Sequence, residues 1–354
     1  MQRGDHVVQS GAGPSGSPAT RGGAGIAEVS VPSRVLPRVR LGRSSVEVTR
    51  FILGCAPLGG LYQVVSEEDA EATLEQAWRD GVRAFDTAPH YGGGLSERRV
   101  GRFLQRRAAG SFVLSTKVGR LLVDQGEGDM QASEFVGESP VVRVRDYSAE
   151  GVRRSLEESL ERLGIDRVDV ALVHDAENHL DEALDGAFPA LTALRAEGVV
   201  GAIGAGMSFC EPLERIVRET DVDCILVAGR YSLLDQSAGR SLLPSCVERG
   251  VSVLVAGVFN GEVLADPRPG AHYEYRPASG EVIARARAIG EVCASLGVPL
   301  AAAALHFPLR HEAVHALVVG ARTPNEVVED VAYFSSSVSE GLYDELVTRG
   351  LVQG

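Results

Sequence analysis

The chain has 354 residues, 44% of them apolar, and a net charge of −13 from 35 basic and 48 acidic side chains. That size suits one large domain with a tail, and the acidic balance excludes a protein built for nonspecific binding to nucleic acid or a membrane surface. Cys55, Cys210, Cys224, Cys246 and Cys293 are scattered without a C-x-x-C pair and read as free thiols of a cytoplasmic protein, and no apolar run reaches the roughly 18 residues of a membrane span.

Residues 1–35 are rich in Gly, Ser, Pro and Ala, as in Ser10-Gly11-Ala12-Gly13-Pro14-Ser15-Gly16-Ser17-Pro18. Such a segment buries too little apolar surface to offset its ordering entropy, so it reads as a disordered tail. Arg3, Arg21 and Arg34 raise a transit peptide as the alternative. Asp5 and the lack of a helical apolar face count against that. Residues 36–354 then form the folded domain.

The domain opens on a hairpin signal, Arg38-Val39-Arg40-Leu41-Gly42-Arg43-Ser44-Ser45-Val46-Glu47-Val48, which alternates around a glycine turn. Eight apolar strand-like runs follow, at 50–54, 82–86, 112–117, 168–174, 200–204, 224–228, 251–256 and 316–319. Helix-period segments separate them. Ser66-Glu67-Glu68-Asp69 offers a cap before a run to Trp78. The segment 151–163 carries Val152, Leu156, Leu160 and Leu163 on one face and stops at Gly164, and 183–197 stops at Gly198. Near-continuous apolar strands alternating with helices predict a parallel sheet. Eight units favour closure, an α/β (β/α)8 TIM barrel with an N-terminal hairpin. Two long connections, 119–147 and 257–280, leave the C-terminal rim and are read as loops able to cover a site. A last helix is expected at 339–351.

Asp86, Tyr91, Lys117 and His174 all fall at or just after strand ends, in Phe85-Asp86-Thr87-Ala88-Pro89-His90-Tyr91, Phe112-Val113-Leu114-Ser115-Thr116-Lys117 and Val168-Asp169-Val170-Ala171-Leu172-Val173-His174. A barrel gathers strand C-termini on one face, so the four become neighbours. A phenol titrates near ~10, and a buried ammonium beside it favours the phenolate. Tyr91 is thus expected as general acid or base, Lys117 as its activator, Asp86 as the anchor of Lys117, and His174 as a hydrogen-bond partner of the reacting oxygen. Such a set exchanges a proton with an oxygen while a cofactor moves a hydride.

With these residues in hand, the chain resembles the aldo-keto reductase family over roughly 36–333. It is closest to the sugar-oxidising branch of D-threo-aldose 1-dehydrogenases and L-fucose dehydrogenases, which also holds pyridoxal 4-dehydrogenases. The carrying segments include Gly94-Leu95-Ser96-Glu97, Ser115-Thr116-Lys117-Val118-Gly119-Arg120, Asp146-Tyr147-Ser148, Gly257-Val258-Phe259-Asn260, Tyr273-Glu274-Tyr275-Arg276-Pro277-Ala278 and Gly320-Ala321-Arg322-Thr323-Pro324. The resemblance implies NAD or NADP lying extended across the rim. Backbone N–H groups of Val258, Phe259, Asn260, Gly261 and Leu264, then Gly320, Ala321 and Arg322, would meet its phosphates. It implies Glu326 near adenosine, Tyr231 stacked on nicotinamide and Ser208 near the amide.

The chain departs from the family where Met207-Ser208 and Ala228-Gly229 replace amide side chains, and where Asp330 replaces a common Asn. Arg322 admits a 2′-phosphate and Glu326 opposes one, so NAD and NADP both stay open. His90, Trp78, Phe135, Tyr62 and Tyr273 are candidate pocket neighbours. The expected substrate is a small aldehyde, ketone or aldose, the last oxidised at C1 to a lactone. A nucleotide-binding sensor or partner subunit, and a non-redox isomerase or dehydratase, are the alternatives. No nucleic acid, membrane or metal is expected, and the oligomeric state stays open.

Overall fold

A computed structural model describes residues 35–124, 134–137, 141–274 and 276–353. The expected tail, apart from Val35, lies outside them, as do parts of the 119–147 connection and Tyr275 of the Tyr273–Ala278 motif.

The strands in chain order are β1 (Arg38–Arg40), β2 (Glu47–Thr49), β3 (Phe51–Gly54), β4 (Ala84–Asp86), β5 (Val113–Val118), β6 (Arg120–Asp124), β7 (Val141–Arg145), β8 (Val168–His174), β9 (Val200–Met207), β10 (Cys224–Ala228), β11 (Ser252–Ala256), β12 (His272–Tyr273), β13 (Arg276–Pro277) and β14 (Val314–Gly320). Eight of them close a parallel barrel in the order β3-β4-β5-β8-β9-β10-β11-β14, with β14 returning to β3. All eight correspond to the strand-like runs of the sequence. Their side chains are buried on both faces, which is why they read as continuous apolar runs.

Ile52, Leu172, Leu226, Leu254 and Val318 fill the barrel's inside, and the second layer lies between strands and helices. The β1–β2 hairpin adds Leu41, Val46 and Val48 to the inner cluster and so plugs the barrel. Its turn is pinned where the Gly42 N–H donates to Ser252 Oγ at 2.8 Å. Helices α1 (Glu67–Arg79) and α3 (Ala149–Leu163) start where the sequence signals place them. Ser66 accepts from the Asp69 N–H, Ser148 accepts from the Gly151 N–H, and α3 ends at Gly164 with φ 65°.

Three elements differ from expectation. The 119–147 connection is a hairpin, β6–β7, pairing Arg120 with Arg145 through Asp124 with Val141, because Val141-Val142-Arg143-Val144-Arg145 carries strand-forming valines. The 257–280 connection contains the short β12–β13 pair. The 183–197 helix enters through a π-helical turn, Ala183–Ala187, before its regular part, Phe188–Ala196. The last helix runs Glu340–Thr348, inside the expected 339–351. No single helix among the described residues is long and apolar enough to cross a membrane.

Candidate active site

A cavity of about 650 Å³ opens at the C-terminal rim, lined by residues that include Asp86, Tyr91, Lys117 and His174. Asp86 closes β4, Lys117 is the penultimate residue of β5, and His174 closes β8. Tyr91 sits in the turn between β4 and α2 (Leu95–Leu104), where its N–H donates to Ala88 O at 3.1 Å. Gly92, Gly93 and Gly94 all have positive φ and turn the chain from Tyr91 into α2. A Cβ on Gly59 would lie 2.7 Å from the Tyr91 carbonyl carbon, so two backbones touch and hold the turn down.

Lys117 Nζ donates to Asp86 Oδ2 at 2.7 Å and to Thr87 O at 2.9 Å, and stands 4.6 Å from the centre of the Tyr91 ring. The ammonium is 2% exposed. Burial works against its charge, yet Asp86 and Tyr91 outweigh that and raise its pKa, so Lys117 stays protonated. The phenol goes the other way from expectation. Burial raises the Tyr91 pKa more than Lys117 lowers it, and the net shift is upward. The tyrosine therefore rests as a neutral acid. His174 crosses the Tyr91 ring at 90°, centroids 6.0 Å apart. Burial, then Arg120 and Lys117, hold its pKa well below the ordinary imidazole value, so it is neutral.

A polar wall faces these four. Arg120, first residue of β6, pairs with Asp175, the residue after His174. Tyr147 donates its hydroxyl to the carbonyls of His174 (2.6 Å) and Asp175 (2.8 Å), which fixes that strand end. His90 Nε2 lies 3.0 Å from Glu134 Oε1. Burial lowers the His90 pKa, and Glu134 falls to about 2, mainly through the hydrogen bond from His90. The pair is thus a neutral imidazole donating to a carboxylate. Phe135 packs edge-on to His90 at 5.2 Å and beside Tyr91 at 5.9 Å.

Among the described residues, the four non-glycine residues with positive φ are Tyr62, Asp175, Asn260 and Glu274, and all four line this cavity. Such backbone costs of order 1–3 kcal/mol per residue and clusters at functional sites.

The other end of the cavity tests the fit of a dinucleotide. Ser208, Val258, Phe259, Asn260, Gly261, Gly320, Arg322 and Glu326 line it. The N–H groups of Val258, Phe259 and Gly261 have no partner among the described residues and are available to a phosphate. The residues fit the group. Asn260 is 3% exposed and its amide is engaged, accepting from Ser232 Oγ at 2.5 Å and donating to Gly229 O at 3.3 Å. The Arg322 N–H is also engaged, donating to Glu326 Oε2 at 2.6 Å.

Two of the residues expected here stand elsewhere, and a third, Ala321, buries its side chain between Gly320 and Arg322, which line the cavity. Tyr231 does not line the cavity, because its ring is held in the outer apolar layer by Phe307 (5.4 Å) and His311 (5.8 Å); its neighbour Arg230 lines it instead. Leu264 is fully buried and its N–H donates to Phe259 O. Ala321 is buried in the outer core. Of the candidate neighbours, His90, Phe135 and Tyr62 line the cavity, while Tyr273 packs in a separate apolar cluster and Trp78 packs on Phe103 under Arg83. Arg120, Glu134, Asp175, Glu177, Glu262 and Glu274 line it without having been singled out. The signal was present for two of them, since acids at 175 and 177 directly follow a strand-closing histidine.

The Aldo/keto reductase family model matches residues 50–346. The chain is 44% identical to D-threo-aldose 1-dehydrogenase of a Pseudomonas species over 84% of its length and 93% of that protein's. It is 40% identical to pyridoxal 4-dehydrogenase of Microbacterium luteolum, over 88% and 97%. Its fold matches an aldo-keto reductase of Bacillus halodurans in the holo form at TM-score 0.73, with 23% identity and coverage of 90% and 97%.

Proposed function

Given that the chain belongs to the aldo/keto reductase family, and so is an NAD(P)-dependent oxidoreductase of small carbonyl or sugar substrates, we propose that in the cytoplasm it oxidises an aldose at C1 to the lactone, with Tyr91 as general acid and base. The observation that carries this is the Asp86–Lys117 ion pair set against the Tyr91 ring in the cavity. Bound nicotinamide supplies the hydride acceptor in oxidation and the donor in reduction.

Tyr91 takes the hydroxyl proton in the oxidative direction and returns it in the reductive one. Lys117, kept charged by Asp86, stabilises the phenolate that oxidation requires. Neutral His174 orients the reacting oxygen. Val258, Phe259 and Gly261 hold phosphate through their N–H groups, with Ser208 on the amide side. The 44% identity to a dehydrogenase favours redox chemistry over the sensor and isomerase readings.

The dinucleotide preferred is NAD. The Arg322 guanidinium lies 3.3 Å from Glu262 and 3.8 Å from Glu326, so a 2′-phosphate would have to displace two carboxylates. Replacing both by glutamine should move the kcat/KM ratio towards NADP+; an unchanged ratio rejects this assignment.

Tyr91→Phe tests the central role. Turnover of an aldose with NAD+ should fall by ~10²–10⁴-fold, while NADH affinity, read by fluorescence titration, changes little. Near-normal turnover would remove Tyr91 from the chemistry.

A further inference from the structure

The eight strand ends divide into two runs around the rim. Three neighbouring strands, β4, β5 and β8, carry Asp86, Lys117 and His174 there. On the other five, β9, β10, β11, β14 and β3, a glycine lines the cavity at or just past the end: Gly206, Gly229, Gly257, Gly320 and Gly54. Four of these have reasons internal to the fold. Gly229 and Gly257 stand at φ 70° and 63°. A Cβ on Gly54 would lie 3.1 Å from Val318 Cγ1, and one on Gly320 would lie 3.0 Å from Pro57 Cγ, both tighter than ordinary contact.

Gly206 has neither reason. It lies inside β9, its φ is outside the left-handed region, and β9 pairs with β8 and β10 there without a register shift. A Cβ on it would meet Leu226 Cβ at 3.5 Å and Leu172 Cδ1 at 3.7 Å, ordinary contacts with the barrel's inner cluster. Its neighbours in the same strand show what packing demands. A Cβ on Gly201 would lie 2.8 Å from Asp169 O, and one on Gly204 would overlap Cys224 O. An interior glycine weakens a strand. Where no bulge or neighbouring backbone requires it, close approach of a ligand is the remaining reason.

Gly206 also stands beside the chemistry. It pairs in register with His174, and its carbonyl accepts from the Asp175 N–H at 3.0 Å. Adjacent strands run about 4.8 Å apart, so a group over Gly206 adjoins the oxygen that His174 orients. The phosphate-facing N–H groups of Val258, Phe259 and Gly261 follow β11, two strands further round the rim. Between them and Tyr91, Tyr231 is turned outward, and Gly229 and Gly206 leave the main chain bare at the cavity.

We propose that Gly206 sets how deeply the cofactor's ring lies. The nicotinamide packs directly on the β9 main chain there, in place of an aromatic platform, and a side chain at 206 lifts it from the substrate carbon. The assignment rests on the dehydrogenase reading above and adds to it a residue that positions the hydride carrier.

The test compares calorimetric binding of NADH and of ADP-ribose, the same dinucleotide without its nicotinamide, in the unmodified enzyme and in Gly206→Ala. Overpacking a fitted ring should weaken NADH by roughly tenfold or more, while ADP-ribose binds as before. Alanine suits an extended strand, so the melting temperature should hold or rise. Turnover of an aldose with NAD+ should fall about 100-fold, the effect of moving a reacting atom by ~1 Å. Equal weakening of NADH and ADP-ribose would make the glycine structural and overturn the proposal. So would unchanged NADH affinity, including the case in which only the aldose KM rises and the substrate occupies that place. If the unmodified enzyme oxidises no aldose, the aldose reading falls, and the two binding measurements, which need no turnover, still decide the role of Gly206.

Discussion

Asp86 and Glu97 are both buried carboxylates, one before Tyr91 and one after it, and they are satisfied in opposite ways. Glu97 is 0% exposed and spends both oxygens, accepting from Thr116 Oγ1 at 2.7 Å and from Arg162 Nε at 2.6 Å. It ties α2 to β5 and α3 and does not line the active-site cavity. Asp86 is 3% exposed, lines the cavity and accepts from Lys117 Nζ at Oδ2. The first network holds the fold, whereas the second holds the Lys117 charge at the cavity. The same residue chemistry at similar burial does different work because one carboxylate lies behind the strands and the other at their ends.

The sharpest way to break this contrast is at Lys117. Lys117→Met leaves Asp86 unpaired and the phenol without its charge partner. Turnover should drop by ~10²–10⁴-fold in steady-state NADH formation. Glu97→Gln should instead cost about 3 kcal/mol of stability in urea unfolding, since Arg162 loses its nearer and more buried carboxylate partner, while kcat of the folded enzyme stays within a few-fold. If Glu97→Gln lost as much turnover as Lys117→Met, the division between the carboxylate that holds the fold and the one that serves the site would fail.

A third outcome concerns pH. Burial leaves the Tyr91 phenol above its ordinary value despite Lys117. Below that pKa the phenolate fraction grows about tenfold per pH unit. Oxidation, which consumes phenolate, should therefore speed up with pH from neutral into the alkaline range. Reduction, which consumes neutral phenol, should stay flat over the same range. Paired pH–rate profiles check both arms, and an oxidative rate independent of pH would reject Tyr91 as the base.

The smallest effect sharpens the comparison with a third carboxylate. Asp330 sits beside Glu326 and Glu329 in the helix Pro324–Phe334, and burial, then those acids, push its pKa up to about 7. The folded state thus binds its proton more tightly than the unfolded state does. That contribution is present at acid pH and is lost as pH rises through 7. Asp330→Asn should raise the melting temperature at pH 8 more than at pH 5, and an equal gain at both would show that the charge is not the cause.

The barrel was legible because period and burial agree: strands covered on both faces are apolar throughout, and helices such as Ala149–Leu163 carry both a cap and a glycine stop. The tetrad was legible because each member stands at or near a strand end, a position that topology alone brings together. What resisted reading depends on side-chain direction. Nothing local distinguishes Tyr231 turned outward on Phe307 from the same residue turned inward. The β6–β7 hairpin was hidden because Gly119 and a glycine-rich stretch bracket β6, and composition there suggests a loop. Arg120 and Glu177 were not separated from their neighbours because only the folded β6 and the turn after β8 bring them to the cavity.

The Tyr147 hydroxyl, shared between the carbonyls of His174 and Asp175, joins the end of the β6–β7 insertion to the barrel, alongside the Arg120–Asp175 pair and the bond from Arg143 to His90 O. Arg120 begins that insertion, whereas Asp86, Lys117 and His174 belong to the cylinder itself. Changes in the insertion therefore reach the cavity through Arg120, while Asp86, Lys117 and His174 keep strands of their own.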